Sequence, residues 1–418
     1  MTSTRIVLLS AVTLLAVPVL AGCATNDGNG TGGGDDVDLT LKMGTLMPLT
    51  GALNSLGPSM QNGAKLAIQM VNDANVGIRI DATHEDDKTT DKTAITNTFN
   101  RLVSTNGVTA TVGPCCSGIT GAVLDLARQN EVLVATPSAT SPDLTDNPNP
   151  FFWRTVPSDA MQGQVLASLV EKDNVQRVNM IVVNNAYGNG LANVFQQSFQ
   201  GQVLVTAKYD ENNPGDMSSQ VTQVCATSAL ADAIVMVMYV DDGAAALKAM
   251  QNQGCLGKVK LYGSEGIWDA KLVERAGKGE DGKWLAQGVK GTAPGVPQGF
   301  VSLYKGAYNE DPRLYAAESF DSVMYVTLAA LAAKSTDGKD ISDNLVKIAN
   351  APGTKYRADQ FADAARAVLN GDDIDYVGYA HDFDFDETKR EPTSGVYDIW
   401  TINAEGQIEI LESGVKPQ

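Results

Sequence analysis

Ser117 and Thr120 open a segment in which Ile119, Val123, Leu126 and Ala127 recur at helical spacing, directly after the run Thr111-Val112-Gly113-Pro114-Cys115-Cys116. A hydroxyl at such a strand-to-helix turn has three chemistries open to it. It can cap the helix, join the free N–H groups of the first turn in holding an anion, or act as a nucleophile. Nucleophilic work would be signalled by a Gly-x-Ser-x-Gly elbow and a motif-supported base. The flanks here read Cys-Ser-Gly, and His84 and His381 are far apart, without metal-ligand spacing. No P-loop or Gly-x-Gly-x-x-Gly follows a strand either, so no catalysis, cofactor or metal is expected. A second polar loop, Thr136-Pro137-Ser138-Ala139-Thr140, ends the next apolar run and favours an anion site over a plain cap.

These loops have to be carried by strands that alternate with helices. Strand patterns at 39–46, 78–83 and 108–112 interleave with helical ones at 62–71 and 92–103, before the two loops themselves. After Phe151-Phe152-Trp153-Arg154, Asp159 reads as the cap of a helix through Val165, Leu169 and Val170. A second series then follows, with strands at 178–183, 203–208, 234–239 and 258–262 and helices at 190–199, 218–227 and 243–253. Such alternation predicts an α/β protein of two lobes, each a mostly parallel sheet with helices on both faces. Gly288 to Pro297 breaks the pattern, the apolar helices at 316–333 and 358–369 suit the first sheet, and the closing run VYDIWTINAEGQIEIL suits the second. The expected division is 39–154 plus 290–377 for the first lobe and 155–289 plus 378–418 for the second. Three interdomain crossings would make a hinge.

The remaining sequence concerns location. Arg5, the apolar run Ile6 to Leu20 and then Leu20-Ala21-Gly22-Cys23 read as a signal peptide over 1–22, too short for a comfortable membrane span. The small residues before Cys23 resemble a bacterial lipobox, which implies cleavage there and a lipid on Cys23. Residues 24–38 are nearly free of apolar side chains and form a tether. A formal net charge of −18 argues against a nucleic-acid partner. Beyond Cys23 the cysteines are Cys115, Cys116, Cys225 and Cys255. Cys225 and Cys255 flank the strand at 234–239 and are the candidate disulfide, whereas Cys115 and Cys116 read as buried thiols behind the first loop, with a vicinal disulfide as the alternative.

Taken in order, MGTLMPLTGALNSLGPSMQNGAKLA, VGPCCSGIT, ATPSATSPDLT, FWRTVPSDAMQG, NNAYGNGLA, LYGSEGIWDA and YAAESFDSV resemble the type I periplasmic binding proteins that serve ABC transporters, in the leucine/isoleucine/valine-binding branch. The resemblance runs from Leu39 to Leu411. It implies an extracytoplasmic, lipid-anchored protein that captures a small amino acid by lobe closure and hands it to a membrane permease. It implies that Ser117, Ser138, Ala139 and Thr140 meet the ligand carboxylate and that Glu265, in Gly263-Ser264-Glu265-Gly266, meets the ammonium. Taken alone, Glu265 would be a solvated loop carboxylate. Tyr187 and Tyr239 fall where the branch lays rings against the ligand, and Trp268 is a further candidate for the wall.

Two positions depart from that branch. Leu56 stands where it presents a tryptophan, which leaves the ligand side chain open. Asp86, Asp87 and Lys88 stand where it has a cysteine that pairs with the one matched by Cys116. A binding protein or sensor for urea, short amides or aromatic acids is the alternative within the same architecture.

Overall fold

The computed structural model describes residues 38–226, 230–382 and 384–417. The expected signal peptide, Cys23 and all but the last residue of the tether lie outside them. Among the described residues no helix is long and apolar enough to cross a membrane.

The first series runs β1 (Leu39–Met47), α1 (Gly57–Ala74), β2 (Ile78–Asp86), α2 (Lys92–Ser104), β3 (Ala110–Val112), α3 (Ser117–Gln129), β4 (Leu133–Thr136) and β5 (Phe152–Arg154). Its five strands pair in the order β2-β1-β3-β4-β5, all parallel. β3 and β4 are buried along their whole length, as strands of a sheet covered on both faces must be.

The second series runs α4 (Asp159–Lys172), β6 (Arg177–Val183), α5 (Ala186–Ser198), β7 (Gln202–Tyr209), α6 (Ser218–Ala226), β8 (Ala233–Val237), α7 (Val240–Asn252), β9 (Lys260–Gly263), α8 (Ala270–Ala276) and β10 (Lys290–Pro294). The chain continues through α9 (Gln298–Tyr308), α10 (Ala316–Ala333), α11 (Gly338–Ser342), α12 (Leu345–Ala349), β11 (Thr354–Arg357), α13 (Phe361–Asn370) and β12 (Ile374–Val377), and ends in β13 (Tyr397–Ile402) and β14 (Ile408–Val415). The second sheet has the order β14-β13-β10-β9-β8-β6-β7, parallel except for the pairings of β13 with β10 and with β14. β11 and β12 form a separate parallel pair. α10 returns to the first lobe and packs on α1. Every residue from Ala316 to Leu331 is buried, so the helix is packed on all sides, its polar residues Glu318, Asp321 and Ser322 included.

Two of the expected crossings are displaced. Residues 290–294, expected to begin the return to the first lobe, are β10 in the middle of the second sheet. Gly291 there lies so close to Gly263 O and the Trp400 ring that a Cβ would stand 2.3 Å from each. Residues 378–391, expected in the second lobe, stay with the first. Asp321 accepts the N–H groups of Tyr379 and Ala380 at 2.8 and 2.7 Å, Asn350 Nδ2 donates to Phe385 O at 2.8 Å, and Arg154 pairs with Glu391. The crossings therefore fall after Pro294 and between Glu391 and Tyr397.

Cys225, at the end of α6, bridges Cys255, beyond α7, with a Cα–Cα distance of 5.8 Å. Cys115 and Cys116 are free and buried.

Candidate functional site

Both expected loops leave the first sheet at the same edge. Gly113, with φ of 95° and a notional Cβ 2.1 Å from Leu46 O, turns the chain out of β3 where no other residue fits. Cys116 in extended conformation caps α3, and Ser117 is its first helical residue. Ser117 Oγ accepts the Ser141 N–H at 3.2 Å, which ties the helix start to the second loop. Thr120 and Thr136 both donate to Pro114 O, at 3.1 and 2.7 Å, so these two hydroxyls brace the turn. Arg154, fully buried, donates to Ala139 O at 3.3 Å and to Ser141 O at 2.7 Å and holds the second loop from behind.

Ser117, Ser138 and Thr140 line a cavity together with Leu53 and Leu56. Ser138 Oγ donates to Cys115 O at 3.0 Å, and Thr140 Oγ1 to Asp159 Oδ2 at 2.8 Å. Ala139 is not among the residues that line the cavity. Its N–H is taken by Thr136 Oγ1 at 3.2 Å and its carbonyl by Arg154, so the ligand contact expected of it is not made available.

The opposite wall comes from the second sheet. Tyr187 lies in the first turn of α5, Tyr239 caps α7 just beyond β8, and their rings stack at 5.8 Å and 13°. Tyr187 OH pairs with Ser264 Oγ at 2.8 Å, and Asn185 Nδ2 donates to Tyr239 OH at 2.9 Å. Glu265 begins a short 3-10 turn after β9, and Gly266 lets that turn close, since a Cβ there would meet Met238 O at 2.4 Å. Glu265 is 4% exposed and its Oε2 accepts from Gln162 Nε2 at 2.6 Å. Burial pushes its carboxyl up to about 7, against the downward pull of hydroxyls on Tyr187 and Tyr315 and of the Gln162 amide.

Sequence reasoning missed several neighbours. Asp159 was expected to be a helix cap. Ser158 takes that role, accepting the Ala160 N–H at 3.3 Å, and leaves Asp159 fully buried with Oδ1 unpartnered. Burial and the nearby Glu265 charge raise the Asp159 carboxyl, and Thr140 and Arg154 pull it back. Tyr315, at φ of 66° just before α10, and Leu314 complete the lining. An aromatic in a left-handed turn has no local sequence signature. Trp268 lines a separate groove with Pro297 and Ile410.

The cavity is narrow and its walls stand close. Its lining combines the hydroxyls of Ser117, Ser138 and Thr140, the Glu265 carboxyl, and aromatic and leucine surfaces.

The family described as periplasmic binding protein matches residues 40–381. A Leu/Ile/Val-binding protein homolog from Brucella melitensis is 26% identical over 303 residues, covering 72% of this chain and 80% of its own. Among solved structures, the substrate binding protein LivJ of Streptococcus pneumoniae in complex with isoleucine superposes with a TM-score of 0.72 at 24% identity, over 90% of this chain and 100% of that one. A solute binding protein from R. palustris in complex with benzoate gives a TM-score of 0.71 at 17% identity, over 91% and 97%.

Proposed function

Because the chain belongs to the periplasmic binding protein family, we propose that it captures a small apolar α-amino acid, branched-chain or similar, and passes it to an ABC permease without chemical change. The observation that carries this reading is the buried Glu265 carboxyl sharing one cavity with the Ser117 and Thr140 hydroxyls and with apolar surface. An ammonium satisfies a buried carboxylate, a ligand carboxylate suits hydroxyls at a helix start, and an aliphatic side chain suits Leu53, Leu56 and the Tyr187–Tyr239 stack. The relatives support the class of ligand, and LivJ was solved with isoleucine. A solute bearing only a carboxylate, such as benzoate, leaves the buried Glu265 without a countercharge, which favours the amino acid. Anchorage through a lipid on Cys23, outside the membrane, completes the proposal.

Calorimetric titration of the purified protein, stripped of carried-over ligand, with leucine, isoleucine, valine, alanine, phenylalanine, urea, acetamide and benzoate tests it. Micromolar or tighter binding to one or more of the amino acids supports it. Binding confined to amides or benzoate refutes it.

A further inference from the structure

Behind the hydroxyl loop the first lobe gathers a set of soft donors that amino-acid capture does not use. Cys115 and Cys116 are free thiols, 2% and 9% exposed. Cys115 Sγ lies 3.9 Å from Sδ of Met60, itself fully buried. Asp87, also fully buried, is oriented by two backbone N–H groups, Cys115 N to Oδ2 at 3.0 Å and Thr89 N to Oδ1 at 2.8 Å. One donor atom each from Asp87, Cys115 and Cys116 lies within 4.8 Å of the others.

We propose that the sulfurs of Cys115, Cys116 and Met60 form a binding site for Cu(I), with the Asp87 carboxylate beside them. Two sulfurs bound to one metal at about 2.3 Å stand about 3.8–4.0 Å apart in tetrahedral or trigonal geometry, and the Cys115–Met60 separation of 3.9 Å already has that value. Thiolate with thioether is the donor combination that selects Cu(I), whereas a zinc site would call for imidazole or further thiolates. Neither His84 nor His381 belongs to the cluster. Each thiol that ligates gives its proton to solvent, copper remains Cu(I), and no electron is transferred. The ion has a route in, because both cysteines also line the amino-acid cavity. Metal and solute therefore change each other's affinity by the same factor. The site rests on this donor set and is independent of which solute the cavity takes.

Anaerobic titration of the purified protein with Cu(I) held by bicinchoninate is the test. Withdrawal of one equivalent from the chelator is expected, with retention weakened at least about a hundredfold by Cys115→Ser or Cys116→Ser and about tenfold by Met60→Leu. No withdrawal by the wild-type protein overturns the proposal, as does a Cys115→Ser/Cys116→Ser variant that holds copper as tightly as wild type. Since these side chains are buried and a variant can fail to fold, X-ray absorption on the copper-loaded wild-type protein gives an independent reading. Sulfur neighbours at about 2.3 Å are expected. A shell of nitrogen and oxygen alone overturns the site.

Discussion

Replacing Glu265 with glutamine removes the charge and almost nothing else. The side chain keeps its shape, and an amide oxygen can still accept from Gln162 Nε2, now 2.6 Å from the carboxylate, so the turn after β9 is expected to stand. A ligand ammonium, however, loses its buried counterion. Breaking a buried ion pair from one side costs about 3–5 kcal/mol, which is about two to three and a half decades of affinity. One correction is needed at neutral pH. With the carboxyl pushed up to about 7, near half of the free protein carries Glu265 protonated, and recovering the anion takes about RT ln 2, or ~0.4 kcal/mol, from wild-type binding. That term is small beside the pair itself and smaller still at about pH 8, where the comparison is best made. Calorimetry with leucine, or whichever amino acid binds wild type most tightly, should show the dissociation constant rising at least about a hundredfold in Glu265→Gln, with far-ultraviolet circular dichroism unchanged. A rise of less than about tenfold at that pH, in a folded variant, would refute the assignment of Glu265 to the ammonium.

Other consequences follow from the same geometry. An ammonium binds the ionised form of Glu265 and Asp159, both raised by burial, so wild-type affinity should strengthen between about pH 6 and pH 8, and calorimetry across that interval checks the sign. Asp87 and Asp321 are each raised from 3.8 to about 7, so their contribution to stability is complete below about pH 4 and is lost as pH rises through about 7. The thermal midpoint of the ligand-free protein should accordingly fall between about pH 4 and pH 7 and level off above that. Thr140→Val takes the 2.8 Å donor from buried Asp159 and should cost about 1–3 kcal/mol in denaturant unfolding while weakening the ligand. Removing the Cys225–Cys255 bridge, which spans 30 residues, should cost about 3–4 kcal/mol by loop-closure entropy and lower the thermal midpoint, yet leave affinity unchanged because neither cysteine lines the cavity.

Much of the fold is legible in the sequence because parallel strands covered on both faces read as apolar runs, and β3, β4, β6 and β8 are such runs. β10 escapes because its glycine serves close packing against Trp400 and its proline sits at the strand end, so chemistry that ordinarily marks a loop occupies the sheet interior. The late crossing escapes for a different reason. What holds 378–391 to the first lobe is a set of polar contacts from Asp321, Asn350 and Arg154, each remote in sequence, and no local periodicity encodes them. The site divides along the same line. Ser117, Ser138, Thr140 and Glu265 follow strands and carry motif signals. Asp159 is hidden by its neighbour, since Ser-Asp at a helix start offers two caps, and only the fold decides that Ser158 takes the role. Ala139 sits within the right motif, but Thr136 and Arg154 consume both of its backbone groups.

The division of the site between two sheets bears on how capture would work. The hydroxyls belong to the first lobe, and Glu265 with the stacked tyrosines belongs to the second, so neither lobe alone satisfies both ends of an amino acid. A ligand that touches both lobes binds the closed arrangement better than any open one, and it shifts the population by that difference and no more. The buried Asp159–Glu265 pair gives the difference its sign. Without a cation, closing over two adjacent carboxyls must neutralise at least one of them, whereas an ammonium between the lobes removes that cost. Closure would then select for a positive charge on the ligand before it selects for the side chain. Asp159→Asn/Glu265→Gln should therefore close without ligand more readily than wild type, and small-angle scattering of the two ligand-free proteins at about pH 8 would detect it as a smaller radius of gyration. Equal radii would sink the argument that burying these two carboxyls opposes closure.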